Sequence, residues 1–377
     1  MGDGYALGVE ALPKFVRTEW FLAPAMLSAV AFLAFGDALF DRLGDPLWLA
    51  FVFGWLFAVV LGSALSVVRH ADHVAAQLGE PYGTLILTLS ITAMEVIGIS
   101  AVMLHGANNP TLVRDTLFAV IMIVLNGMVG LSLLAGAWRR REQHFNLQGA
   151  NAYLGLIVPL AALSLIMPNF MRPTHGPFGP GAPQIVLGLM SIGLYCTFLL
   201  LQAGRHRGYF AERGVEAQEV PRPPSDMPLW LDALLLVVYM VPVVFLVEQL
   251  ALPIDYLIET VAAPTAIGGA IMAILVATPE AIGAVRAASA DHLQRSINIF
   301  LGSVLSTIGL TVPAMLLISH LTGHPVTLGL EHSDVVMLVL TLAVGIITFA
   351  SGRTNVLQGA VHLLLFVAYL LLLLSRG

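Results

Sequence analysis

Long apolar stretches alternate with short polar breaks along almost the whole chain. A helix needs about 20 mostly apolar residues to cross the hydrocarbon core of a bilayer. Against that length the runs resolve into eleven predicted spans, at 21–40, 47–68, 82–104, 115–137, 150–168, 183–203, 229–250, 262–285, 296–320, 333–350 and 355–374. Turn-forming residues punctuate the breaks, as in Gly44-Asp45-Pro46, Asn108-Asn109-Pro110 and the Pro/Gly-rich stretch from Pro173 to Pro183. The longest polar segment, Gly204 to Pro228, carries mixed charge and three prolines before its end and divides the chain near its middle. The predicted organisation is therefore an N-terminal segment with the first span (1–44), a first five-helix unit (45–203), a cytoplasmic linker (204–228) and a second five-helix unit (229–377).

Composition agrees with this reading. The chain is 58% hydrophobic and 11% charged, against about 25% charged residues in soluble domains. The class is an all-α polytopic membrane protein with lipid as its surroundings. A net charge of −6 without a basic stripe excludes a nucleic-acid partner. The single cysteine, Cys196, permits no intrachain disulfide and reads as a small buried hydrophobe. The first apolar run is too long for a signal peptide and is followed by more spans, so it reads as an uncleaved helix. Thirteen of the seventeen Lys and Arg fall on the N-terminal side of the predicted layout; only Arg42, Arg114, Arg172 and Arg376 fall on the other. By the positive-inside rule the N-terminus is cytoplasmic and the C-terminus outside, in a bacterial inner membrane.

The two units resemble each other. Glu95-Val96-Ile97-Gly98 and Glu280-Ala281-Ile282-Gly283 share Glu-x-Ile-Gly at an offset of 185 residues. The same offset carries spans two to five onto spans seven to ten. One helix followed by two five-helix repeats explains the layout, and because five is odd the second repeat enters the membrane in the opposite sense. Inverted repeats typify secondary transporters, whose substrate site lies at the repeat interface near the bilayer midplane.

Glu95 and Glu280 both fall deep inside their spans. An acidic residue at a helix centre costs about 2.5–3.5 kcal/mol on insertion scales, and no Lys or Arg lies inside any predicted span to pair with them. They are the candidate cation- and proton-binding groups, and the candidate metal ligands. Thr84, Thr88 and Thr92 share the Glu95 face, where their hydroxyls could serve a cation or bond back to their own helix. Around Glu280 the same face holds Gly269, Ala273, Ala277, Ala284 and Ala287, a small-residue stripe that admits a close neighbour helix. Pro279 frees the Leu275 carbonyl, and Thr278 stands beside it. Asn126, Ser303, Ser306 and Thr307 in the following spans could add oxygen ligands or act as helix-packing groups. Such hard oxygen donors suit Ca²⁺ or alkali cations. His70 and His73, beside Arg69 and Asp72, and Glu248 near the end of span seven are candidate gating or pH-sensing groups, with solvated interface residues as the plainer reading of the histidines. His362 reads as a hydrogen-bonded packing residue.

Several segments together resemble the calcium/cation:proton antiporters, in the bacterial ChaA-type branch of the calcium/cation exchanger superfamily. They are Arg69-His70-Ala71-Asp72, Gly79 to Leu87, the Glu95 segment, Arg114 to Leu117, Pro279-Glu280, Gln294-Arg295, Gly302 to Leu305, Leu310 to Pro313 and Ser351 to Leu357. The resemblance implies eleven spans, two inverted repeats and a paired acidic site on Glu95 and Glu280. It also implies exchange of Ca²⁺, or of Na⁺ and K⁺, for protons, with no cofactor and no enzymatic reaction. Ala93-Met94 and Thr278-Pro279 stand where vacuolar relatives carry Gly-Asn, so the resemblance leaves the ion unassigned. A cation channel, or a membrane sensor or scaffold without transport, remains the alternative from another class, and the sequence does not address oligomeric state.

Overall fold

The computed structural model describes residues 17–79, 82–105, 110–138, 140–171, 182–204, 206–211 and 227–375. Most of the predicted linker, and the side chain of Thr84, lie outside the described residues. Eleven helices are long and apolar enough to cross a membrane. They are α1 (Leu22–Phe40), α2 (Pro46–Leu78), α3 (Tyr82–His105), α4 (Leu112–Ala137), α5 (Leu147–Phe170), α6 (Ala182–Ala203), α7 (Leu229–Glu259), α8 (Thr265–Ser289), α9 (Leu293–Thr322), α10 (His332–Phe349) and α11 (Val356–Leu374).

Local chemistry accounts for many of the boundaries. Asp45 caps α2 by accepting from the Leu47 nitrogen at 2.9 Å, and Pro46 occupies the first helical position, where no N–H is needed. Asn355 and Gln358 form a reciprocal capping box at the start of α11. Two helices overrun the predicted spans: α2 continues to Leu78 rather than 68, and α7 to Glu259 rather than 250. Hydropathy reports the thickness of the hydrocarbon, not the length of a helix. At 33 residues, α2 is about 50 Å long, well beyond a core of about 30 Å. Its polar end, Arg69 to Gln77, stays helical and packs against α7 and the segment before α1.

Contacts between loops sort into two faces. On the face of the N-terminus, Glu19 meets Arg69 at the end of α2. There too the short strands β1 (Gln143–His144) and β2 (Arg353–Thr354) pair antiparallel, joining the α4–α5 and α10–α11 connections. Asn146 reaches the Gly208 carbonyl at 3.0 Å and the Gln294 side chain at 2.7 Å, adding the α6–α7 and α8–α9 connections. On the other face the Thr327 nitrogen donates to the Pro110 carbonyl at 2.7 Å and Arg114 to the Gly329 carbonyl at 3.1 Å. Strict alternation of the eleven helices accounts for every one of these pairs, and it places the two termini on opposite faces. Exposed Trp20, Trp138 and Trp230 stand at helix ends on the N-terminal face, the position of an aromatic belt at a membrane interface. Leu33, Phe35, Leu200, Ile347 and Leu364 point outward along the flanks. Cys196 is also exposed, contrary to the buried reading: an apolar run in a membrane helix has a lipid-facing side as well as a packed one, and periodicity there does not separate them.

Helix contacts are symmetric under exchange of the repeats. α3 packs on α9 as α8 packs on α4; α6 packs on α9 as α11 packs on α4; α2 and α7, which correspond to each other, pack together over much of their length. The small-residue stripe of α8 sits at this interface. A methyl group at Gly269 would stand 2.7 Å from the Thr116 nitrogen and 2.8 Å from the Asp115 carbonyl carbon, both in the backbone of α4, which cannot yield as a side-chain tip would. Overpacking of this kind costs about 1–3 kcal/mol. Gly269→Ala is therefore expected to lower the thermal unfolding midpoint of the purified protein, whereas Gly155→Ala, which meets nothing within 4 Å, leaves it in place. Equal midpoints for the two variants would contradict this packing.

Candidate functional site

Glu95 on α3 and Glu280 on α8 are both buried, with 2% and 9% of their surface exposed. Neither faces lipid. They converge on one helix, α9. The Thr307 hydroxyl lies 3.0 and 3.1 Å from the two oxygens of Glu95, and the Thr311 hydroxyl donates to Oε2 at 2.7 Å. Ser303 pairs with the Glu280 carboxyl, and the two glutamates sense each other electrostatically. Ser303, Thr307 and Thr311 follow at four-residue steps, each about 6 Å along a helix axis. The two carboxyl groups thus lie on the same side of α9, separated by roughly one turn. Glu280 Oε2 is buried and has no hydrogen-bond partner among the described residues.

Backbone irregularity places the hydroxyls. α9 changes from α-helix to a π turn over Thr307–Thr311, where the Val312 nitrogen donates to the Thr307 carbonyl five residues back. Pro313 follows at once; it lacks an N–H and crowds the carbonyl four residues earlier, which favours a widened turn. α4 carries its own π turn at Ile123–Met128, the equivalent place in the first repeat, and no proline explains that one. Such turns recur at functional positions in helices.

Other residues singled out in the sequence divide into several groups. Thr92, one turn before Glu95, is buried with its hydroxyl unpartnered among the described residues. Thr88 hydrogen-bonds the phenol of Tyr195 on α6. Asn126 donates to Thr341 on α10 at 2.9 Å and leaves its own Oδ1 without a partner among the described residues. Leu275 is buried on α8. Thr278 and Ser306 give their hydroxyl protons to carbonyls of their own helices, Ile274 at 2.5 Å and Ser303 at 2.9 Å. His70 and His73 join Asp232 rather than the glutamate pair. Glu248 is half-buried on α7, and His362 accepts the packing role, hydrogen-bonded to Thr348 at 2.9 Å.

Two residues at the site were not singled out beforehand. Thr311 makes the shortest bond to Glu95. It continues the four-residue register of Ser303 and Thr307, and that spacing, which sets it beside Thr307 on an ordinary helix, is the signal that could have found it. Tyr195 lies close enough to Glu280 to interact with it electrostatically. Its ring also covers Gly309 in the π turn, where a methyl would stand 2.9 Å from it. The only sequence signal for it is a tyrosine in mid-span.

The sequence family described as "sodium/calcium exchanger protein" matches residues 48–204 and 231–375. The chain belongs to the sodium/calcium exchanger family. The two matched segments cover α2–α6 and α7–α11. The chain is 41% identical over 317 residues to the sodium-potassium/proton antiporter ChaA of Escherichia coli, covering 83% of this chain and 86% of that protein. Among solved structures, native YfkE superposes with a TM-score of 0.72 at 18% identity, over 92% of this chain and 97% of that one. The H⁺/Ca²⁺ exchanger CAX gives a TM-score of 0.68 at 14% identity, over 95% and 89%. At such identities the likeness to YfkE and CAX speaks for the fold alone.

Hydrogen bonds to a charged group are worth about 1.5–3 kcal/mol, whereas a hydroxyl turned back onto its own helix contributes little. Thr311→Val is expected to lower the thermal unfolding midpoint in detergent clearly more than Thr278→Val. Matching midpoints would mean that Thr311 does not support Glu95.

Proposed function

We propose that this chain is a secondary antiporter that exchanges Na⁺, K⁺ or Ca²⁺ for protons by alternating access, with Glu95 and Glu280 as the shared carboxylates. One observation carries the reading. Two acidic side chains from opposite repeats lie buried about a turn apart, and no base neutralises either among the described residues. An isolated carboxylate in such an interior is disfavoured unless it takes up a proton or a cation. Because both ligands compete for the same oxygens, occupancy by one excludes the other, and the two flows are coupled.

The donor set supports a hard cation. It consists of two carboxyls and the hydroxyls of Ser303, Thr307 and Thr311, all oxygen. Thr92, one turn from Glu95, offers a further hydroxyl without a partner among the described residues. The named activity of the Escherichia coli relative favours Na⁺ and K⁺ among the candidates. Glu95 lies on a helix of the first repeat and its hydroxyl partners on a helix of the second, so movement of one repeat against the other alters the site directly. The excess of Lys and Arg on the N-terminal side favours a cytoplasmic N-terminus and an outer C-terminus in a bacterial inner membrane.

Glu95→Gln and Glu280→Gln keep the shape of the side chain and remove its charge. Each variant is expected to fold and to lose exchange by at least a hundredfold when reconstituted in liposomes under an imposed pH gradient, with Na⁺, K⁺ and Ca²⁺ assayed separately. Flux in either variant at the level of the natural sequence would overturn the assignment. Cation flux that persists without proton countermovement would instead favour a channel.

A further inference from the structure

A second polar cluster, remote from the carboxylate pair in sequence and chemistry, joins the N-terminal segment, the end of α2 and the first turn of α7. His70 Nδ1 lies 2.9 Å and His73 Nδ1 3.2 Å from the same oxygen of Asp232. Candidate ligand atoms of all three lie within 4.8 Å of one another. With metal–ligand bonds of about 2.0–2.1 Å, the corners of a tetrahedral zinc site stand about 3.3 Å apart. The two histidine–aspartate distances already match that spacing. His70 and His73 are one helical turn apart on α2, while Asp232 comes from α7.

Surrounding groups are arranged as outer support. His70 Nε2 lies 3.2 Å from Glu19 Oε2, so its second nitrogen is held by a carboxylate, the usual orientation device for a metal-bound imidazole. Gln77 donates to the other oxygen of Asp232 at 3.0 Å, and the Tyr239 hydroxyl donates to Glu19 at 3.0 Å. Arg69 adds a further bond to Glu19 at 2.6 Å. Burial works against the charge of Glu19, but the His70 hydrogen bond, the Arg69 charge and the Tyr239 hydroxyl outweigh it and hold this carboxyl below the usual range. Glu19 Oε1 is buried without a partner among the described residues. His70 itself is sealed from solvent between two carboxylates. With Nε2 turned to Glu19 and to Arg69, whose Nη2 lies 3.3 Å away, Nδ1 is the His70 nitrogen that faces Asp232 and His73.

We propose that His70, His73 and Asp232 bind a divalent first-row transition cation of the Zn²⁺ type, oriented by Glu19 and Gln77, with water in the open position. Two imidazole nitrogens select such an ion over Na⁺, K⁺ or Ca²⁺, so this site is separate from the all-oxygen site and does not depend on the exchange reading. The bound ion links α2 of the first repeat to its counterpart α7 of the second.

The test is a zinc titration of the full-length, chelator-stripped protein in detergent, followed by calorimetry with millimolar Ca²⁺ present throughout. One saturable site is expected, with Kd in the micromolar range or tighter and the same affinity in Glu95→Gln. His73 is partly exposed (side chain 24%), so His73→Gln is the variant that keeps the buried network intact; its thermal unfolding midpoint without metal checks the fold, and its zinc affinity is expected to fall at least tenfold. X-ray absorption of the zinc-loaded protein is expected to show two imidazole ligands. Absence of saturable zinc binding, displacement by Ca²⁺, or unchanged affinity in a folded His73→Gln protein would each overturn the proposal.

Discussion

A carboxyl group cannot rest unattended among apolar helices wrapped in lipid, and the centre of this molecule is organised around that demand. Glu95 is met by two threonine hydroxyls delivered from the opposite repeat. Glu280 is met by one serine and keeps an oxygen without a hydrogen-bond partner among the described residues. The first arrangement binds the repeats together; the second leaves the interior electrostatically incomplete. For α8 to bring Glu280 this close, its neighbouring face must be almost bare of side chains, and Gly269 lies directly on the backbone of α4. Close helix approach and buried charge are therefore one design problem. Small residues remove the steric barrier, and hydroxyls on α9 supply what the hydrocarbon cannot.

The same economy governs the backbone. Every peptide group within the bilayer has to be satisfied inside the protein, which restricts irregular geometry to places surrounded by other helices. The π turns of α4 and α9 comply: almost all of their residues are buried. They lie at equivalent positions of the two repeats. Longer polar helix ends are tolerated only beyond the hydrocarbon, where α2 and α7 extend toward the N-terminal face and the opposite face respectively.

Much of this was legible in the sequence, for identifiable physical reasons. Bilayer thickness imposes one length on every span, so the eleven apolar runs could be read directly and each has its helix in the structure. The insertion cost of a charge marked Glu95 and Glu280 out of twenty-three acidic residues, and both are buried together. Partners chosen across long separations were not legible. Asp232 stands at the very start of its apolar run, where an acid looks like an ordinary helix-end residue, yet it is fully buried against His70, 162 positions away. Glu19, just ahead of the first apolar run, likewise carries no mark in the sequence of its buried contacts with Arg69, His70 and Tyr239. Thr311 is a turn beyond Thr307 at ordinary helical spacing, but nothing in the sequence shows that Glu95, more than two hundred positions away, reaches that far along α9. Thr278 and Ser306 show the converse: a hydroxyl on a promising face can spend its proton on its own helix, and only coordinates distinguish the two uses.

The grip of α9 on both acids has no counterpart in the first repeat. Shifting Ser303, Thr307 and Thr311 back by the 185-residue offset arrives at Phe118, Met122 and Asn126: a ring, a thioether and an amide already engaged with Thr341. The duplicated bundles have kept their shape while dividing their chemistry unequally. Swapping the roles of the two bundles consequently does not regenerate the same set of donors. A cycle built on such a scaffold has end states of unlike energy, so the two are unequally populated and crossed at unequal rates, while the ion gradients alone set the direction of net exchange.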